Sequence, residues 1–344
     1  MGLVGIFRLS MKQFNLKILF FALLQMASSS VSAYDFQVDG IYYSLNTSDM
    51  TLYVVKGDEP YKGNVVIPNT VEYNSKTLEV SGIGKQAFYY CNELTDISFP
   101  TGLKTIAAEA FYGCEELNAI QLPDGLTTIK ERAFSGCDKI SALTIPSSVM
   151  SIEDFAFNCM GIKEIIIEDS DNELKVGHSP FGKEAGSYFI DTFAETAYIG
   201  RNLSFEMGDW EHYPFGCNNS LKSVTIGEKV TSLASFYFYG ATVLRTVIVK
   251  GRKPFECTDY VFASKTYIDG KLIVPNGTLD EYKQIKCWSN FFNIEEDPTM
   301  NINIVYSNNT KQEIYKFDGT RVPHIKKGLN IIRNGNSVRK LNIK

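Results

Sequence analysis

Chemistry that depends on imidazoles or paired metal ligands has little to work with in this chain. Its 344 residues include three histidines, His178, His212 and His324. None has another histidine, a cysteine or a carboxylate at metal-ligand spacing. No C-x-x-C pair occurs, which removes the usual zinc arrangements. H-E-x-x-H, G-x-S-x-G and a phosphate loop are also missing. Gly82-Ile83-Gly84-Lys85-Gln86-Ala87 satisfies G-x-G-x-x-A, but it runs into a repeat instead of opening a strand–helix unit. Asp169-x-Asp171-x-Glu173 lacks the central glycine of a calcium loop and reads as a solvated acidic turn. No metal, no cofactor and no catalytic grouping is therefore expected. The remaining enzymatic alternative is a hydrolase carried by Glu206, Asp209 and Glu211.

Long apolar runs are equally scarce. The one near the start, Ile18 to Met26, follows Lys12 and Lys17 and precedes small residues ending in Val31-Ser32-Ala33. It is too short to span a bilayer. It reads as a secretory leader, residues 1–33, cleaved before Tyr34, with Met11 a workable start. No cysteine flanks the cleavage site, so a lipid anchor is not expected. No later stretch reaches 18 consecutive apolar residues, so no transmembrane segment is expected in an exported mature chain. Basic residues are short in the body: Tyr34 to Pro298 holds 22 basic and 37 acidic residues, net −15. That balance argues against nucleic acid, whose phosphates need Lys and Arg. Thr299 to Lys344 reverses the sign, with 9 basic and 2 acidic residues, net +7.

What the chain does have is repetition. AFYYCNELTDISFPTGLKTIAAE (Ala87 to Glu109) is rewritten from Ala110 to Arg132 and from Ala133 to Phe155, and a fourth copy opens at Ala156. The period is 23 residues, the signature of stacked coils that share one core. Leu94-x-x-Ile97-x-Phe99, Leu117-x-x-Ile120-x-Leu122 and Ile140-x-x-Leu143-x-Ile145 predict a strand in each coil, stopped by Pro100, Pro123 and Pro146. Leu103, Leu126 and Val149, with Ile106, Ile129 and Ile152, point inward from the opposite wall. The Ala-Phe pairs fill the corner. Cys91, Cys114, Cys137 and Cys159 share one repeat position, so their Cβ vectors run parallel and suit a disulfide poorly. They predict a ladder of buried free thiols, and all thiols are expected free on unfolding.

Outside the regular coils, VDGIYYSL, TLYVVKG and GNVVIPNTV predict a β cap over residues 34–85. The solenoid is expected over 86–296, with an irregular insert at 168–216 of one or two widened coils and a strand at Thr196 to Gly200. A helix at Leu279 to Ile285 and the aromatics Trp288, Phe291 and Phe292 suit a closing cap. Residues 299–344 carry strand-like runs with hairpin signals at Asp318-Gly319 and Asn334-Gly335, predicting a small antiparallel module. The fold class is thus mainly β: a solenoid of stacked 23-residue coils between a β cap and a small C-terminal β module.

With these motifs laid out, the chain resembles the BspA-like leucine-rich repeat family over Tyr34 to Glu296, through AFxxCxxLxxIxhPxxLxxI and the close LIVPNGTLDEYKQIKCWSNFFNIEE. The resemblance implies a surface or secreted protein with adhesion or protein binding as its role. The tail, KKGLNIIRNGNSVRKLNIK, is similar to C-terminal sorting domains of type IX secretion.

The candidate site is a surface. Residues between the buried strand positions form two outward rows: Asp96, Ala119, Ala142, Glu164, Ser223, Thr246, and Ser98, Gln121, Thr144, Ile166, Thr225, Ile248. Ile166 and Ile248 are apolar where water is expected. The plain alternative is that these are β-tolerant surface residues. Tyr89, Tyr90 and Tyr112 at the corners are further contacts or corner packing. The reading this supports is a non-enzymatic exported protein that binds protein or glycoprotein at the cell surface through its sheet face and the irregular 168–216 loops. The alternative is a carbohydrate-binding surface protein for polysaccharide capture, with Tyr198, Trp210 and Tyr213 of the insert stacking on sugars.

Overall fold

The computed structural model describes residues 34–182, 193–205, 213–216 and 218–301, together with strands within 312–343. It falls into two compact units, Met1–Pro298 and Thr299–Lys344. The leader, residues 183–192 and 206–212 of the insert (with Trp210, His212 and the acids Glu206, Asp209 and Glu211), Cys217 and His324 lie outside the described residues.

The larger unit is a solenoid with two walls. One wall is a seven-stranded parallel sheet in the order Ala142–Ile145, Glu164–Ile167, Thr196–Ile199, Ser223–Ile226, Thr246–Val249, Lys271–Pro275, Asn293–Asp297. The other wall carries the short strands Thr105–Ile106, Thr128–Ile129, Ser151–Ile152, Leu174–Val176 and Leu203–Ser204, also parallel. The alternation of apolar and polar residues sends Leu143, Ile145, Ile165, Ile167, Val224 and Ile226 inward, all buried. From the opposite wall, Leu103, Leu126, Val149, Ile106, Ile129 and Ile152 close the core as the repeat predicts.

At the corner between the walls runs a column of aromatic rings. Phe88, Phe111, Phe134 and Phe157 are fully buried and stack at centroid spacings of 4.6, 4.9 and 5.2 Å. The column continues through Phe181, Phe215, Phe238 and Phe262 and ends on Trp288 and Phe291. Tyr61 begins it, 4.4 Å from Phe88. Burial of each ring stabilises by about 2–3 kcal/mol, and it does so only when a neighbouring coil covers it. From Phe88 to Phe262 the column phenylalanines are spaced 23 or 24 residues apart in sequence, except for the 34 residues from Phe181 to Phe215. The irregular region is therefore a near-regular coil, then a widened one.

The cysteines lie beside this column. Cys114, Cys137 and Cys159 donate through Sγ to the carbonyls of Phe88, Phe111 and Phe134 at 3.0, 3.1 and 2.9 Å. Together with Cys91 they are free and buried, as the register predicts. Burial pushes the Cys91 thiol up to about 11 and Cys137 well above the ordinary thiol range. One expectation fails: Cys257 and Cys287 form a disulfide, with Cα atoms 5.4 Å apart. Neither sits in the repeat register, so the parallel-vector argument never applied to them.

Both ends are capped. Phe36–Val38, Ile41–Asn46 and Thr51–Val54 form an antiparallel meander. Its first turn, Asp39-Gly40, has φ of 49° and 80°, the left-handed pair of a tight hairpin. Gly63–Val66 pairs in parallel with Leu94–Ser98, so this part of the cap takes the place of a preceding coil's strand. At the far end, short helices Leu279–Gln284 and Lys286–Ser289 bury Tyr282, Cys287 and Trp288. The Trp288 indole donates to the Phe255 carbonyl at 2.9 Å. The smaller unit holds four antiparallel strands, ordered Arg321–Val322, Gln312–Lys316, Gly328–Asn334, Ser337–Ile343. The strands flanking Asp318-Gly319 pair with each other, as do those flanking Asn334-Gly335.

Candidate functional site

Parallel register decides which outward residues become neighbours. Ile166 pairs with Tyr198, Tyr198 with Thr225, Thr225 with Ile248, and Ile248 with Ile273. All five are half-buried and face outward between buried partners. Strands lie about 4.8 Å apart, so the row is a stripe about 19 Å long. Thr144, exposed, precedes it and Glu295, exposed, follows it. Tyr198 therefore belongs to the sheet face itself, in line with Ile166, Thr225 and Ile248. Sequence reasoning had assigned it to the insert. Ile273 was missed altogether, although Leu272-Ile273-Val274 carries the same alternation.

Tyr198 is the polar pivot of the stripe. Its hydroxyl donates to Asp169 Oδ1 at 2.7 Å, and the Lys250 ammonium lies 4.7 Å from its ring centroid. Burial, then the hydrogen bond to Asp169 and that carboxylate's charge, push the phenol far above its ordinary value, so it stays protonated. The Tyr198 ring is thus held by a carboxylate at one end and a cation over its face. Beside the stripe, Glu164 is exposed and pairs in register with Thr196. Ion pairs Lys222–Glu195 (2.5 Å) and Lys271–Glu295 (2.9 Å) border it. Hydrogen bonding to Lys222 and its charge hold Glu195 below the usual carboxylate range. An apolar strip within a polar, mixed-charge rim is the anatomy of a protein-binding patch.

The remaining predicted residues are distributed differently. The two rows do not run unbroken from Asp96 to Ile248. Leu94–Ser98 pairs with the N-terminal cap, and residues 118–122 form no strand. Near the failed ladder, the Asn118 amide bonds the Thr95 carbonyl at 3.1 Å. Beyond that point the coils part around Phe99 and leave a cleft of about 380 Å³, lined by Ser98, Phe99, Gln121 and Leu122. Asp96, Ser98 and Gln121 are exposed but separate from the stripe. Tyr213 is not an available contact: it is buried and packs on Phe205 and Phe236. Its position in a widened coil concealed its membership of the core.

His178 lines a separate depression of about 320 Å³ with Ser151, Glu153 and Lys175. Asp154 accepts from the His178 amide (2.8 Å) and lies 3.2 Å from its Nδ1. The pair ties two coils together at that turn. Among the described residues no group of three or more His, Cys, Asp or Glu could hold a metal ion. Among them, too, no helix is long and apolar enough to cross a membrane.

A family model described as the BspA type leucine rich repeat region matches residues 81–203 and 191–317, in six copies. No curated protein matches the chain. Among solved structures, the chain is similar to a leucine-rich repeat protein from Bacteroides ovatus at 20% identity, covering 76% of this chain and 90% of that one, with a TM-score of 0.40. It is similar to the leucine rich repeat protein of T. pallidum at 19% identity, over 73% and 96% of the two chains, with a TM-score of 0.42. A leucine rich cell surface protein from Faecalibacterium prausnitzii is similar at 16% identity, over 77% and 96%, with a TM-score of 0.30.

Proposed function

The chain belongs to the BspA-type leucine-rich repeat family, and from that premise we propose that it is an exported, non-enzymatic binding protein that holds a protein or glycoprotein ligand against its long sheet. One observation carries the reading: the register that aligns Ile166, Tyr198, Thr225, Ile248 and Ile273 outward on consecutive strands. Such a stripe is a cost in water unless something covers it. In the same reading residues 1–33 are a cleaved secretory leader, 34–85 a cap, 86–296 the binding solenoid, and 299–344 a basic sorting module.

The test is binding of the mature chain to arrayed extracellular-matrix proteins and mucins, with an Ile166→Asp/Ile248→Asp double variant alongside. Two carboxylates at the stripe should weaken capture by about a hundredfold, since desolvating them opposes contact at both ends. Circular dichroism establishes that the variant is folded. Equal capture by the folded double variant removes the sheet face from the mechanism.

A further inference from the structure

The corner two residues beyond each column phenylalanine needs a left-handed backbone in several coils. Gly113, Gly136 and Gly240 occupy it with φ of 71°, 78° and 78°. In the first coil the same position is Tyr90, at φ 53°. Left-handed backbone is unfavourable for a residue with a Cβ, and glycine is the usual solution. The position two residues before the phenylalanine is also left-handed, yet there Gln86, Glu109, Arg132, Phe155 and Phe236 all serve, so no glycine is discarded. Only at Tyr90 does a bulky aromatic replace the glycine of its sister coils.

The ring's placement explains what is gained. One face lies flat on Gly113: a Cβ there would stand 2.6 Å from Tyr90 Cδ1. Half of Tyr90 remains exposed, at 50%. Tyr89 meets it edge-on at 4.7 Å, and Tyr112 stacks on Tyr89 at 5.3 Å. Beside the rings opens a pocket of about 350 Å³ lined by Tyr89, Tyr90, Tyr61, Lys56, Asp58 and Glu59. That volume lies at the small end of ligand sites. The floor is rigid, because the Tyr61 hydroxyl is fixed by the Tyr42 amide (3.0 Å) and the Val55 carbonyl (2.8 Å).

We infer that Tyr90, Tyr89 and the Lys56–Tyr61 loop form a binding site for a neutral pyranose unit of a glycan. A flat, supported aromatic face accepts the C–H face of a sugar ring. Glu59 and the remaining acceptor capacity of Asp58, whose Oδ2 accepts from the Tyr34 hydroxyl at 2.7 Å, accept from sugar hydroxyls, and the Lys56 ammonium, 5.9 Å from the Tyr89 centroid, donates to them. Two carboxylates against one ammonium disfavour sialylated, sulfated or phosphorylated ligands. This site is independent of the sheet stripe.

Arrayed neutral and acidic oligosaccharides, probed with the full mature chain and followed by saturation-transfer NMR on the best hit, test this. Neutral glycans should be retained. Tyr90→Gly restores the sister-coil residue, so the melting temperature should move by less than about 3 °C while affinity falls at least about tenfold. Tyr90→Phe keeps the ring and should bind within about threefold of the parent. The Ile166→Asp/Ile248→Asp variant should bind glycan normally. Silence across the array, preference for acidic glycans or equal binding by Tyr90→Gly overturns the site. So does a melting-temperature loss beyond about 8 °C in Tyr90→Gly, because the ring is then a structural clamp.

Discussion

Arg201 is fully buried in the widened coil and faces no carboxylate at hydrogen-bond distance among the described residues. Instead its guanidinium donates to three backbone carbonyls of one turn: Pro146 at 2.8 Å, Ser147 at 2.9 Å and Val149 at 2.8 Å. Burial pulls its pKa down, against the opposing charge of Glu168, but a guanidinium stays ionised, so the charge is held by carbonyl dipoles at contact distance and by the Glu168 carboxylate at longer range. Consider Arg201→Met and Arg201→Lys. Methionine removes the buried charge and keeps the apolar stem. Pro146 O retains the Val149 amide at 3.1 Å, and Ser147 is exposed enough for water to replace the lost donor. Val149 O is left stranded, a cost of about 1–3 kcal/mol, reduced by no longer desolvating a cation. Lysine keeps the desolvated charge but has no planar fork to span three acceptors, so it should cost about 3–5 kcal/mol. Urea denaturation of the three proteins gives the order: parent most stable, then Met, then Lys. A lysine variant more stable than the methionine variant would falsify the fork argument, because charge alone would then suffice.

Two further outcomes follow from the core. The Cys257–Cys287 bridge closes a 30-residue separation, so Cys257→Ser/Cys287→Ser should lose about 3–4 kcal/mol, while Cys91, Cys114, Cys137 and Cys159 resist alkylation until unfolding. Alkylation of any of these four in the folded state, read by peptide mass spectrometry, contradicts the ladder. Above neutrality, Tyr43 and Tyr267 have phenols pushed up to about 12, chiefly by burial, against about 10 when unfolded. The folded state then binds more protons than the unfolded one. Their contribution is intact below pH 10 and is lost as pH rises from 10 through 12. Absorbance at 295 nm should show surface tyrosines titrating first and a later step coincident with unfolding. A single early step in a protein that stays folded rules this out.

The period of 23 made the walls, corner and thiol ladder legible, because burial patterns repeat with it. It stopped being legible at Phe157 for a local reason. The next column residues keep phenylalanine but replace the preceding alanine with Pro180, Pro214, Tyr237 and Val261. The small residue was not the essential part; the ring was. The break at residues 118–122 was invisible because Leu117-x-x-Ile120-x-Leu122 matches the repeat fully. Side-chain burial there is intact at Leu117 and Leu122, while the backbone ladder is not. Periodicity reports the first and is silent on the second. Tyr198 escaped because extra residues on either side hide its register, which only strand pairing restores.

Deviation from the repeat is therefore a poor marker of a binding site until its direction is known. Arg201, Tyr213 and Tyr198 all fall in the irregular stretch. Arg201 and Tyr213 turn inward, where they fasten the widened coil to its neighbours. Tyr198 turns outward and joins isoleucines that no coil covers. Tyr90 goes further: it departs within the most regular copy, at a position where glycine would fold more easily, and its ring is half in water. An inward departure is explained by the core it completes. An outward one that also works against the backbone is not explained by the core; its ring either clamps Gly113, Tyr89 and Tyr112 or serves a ligand, and Tyr90→Gly decides between the two.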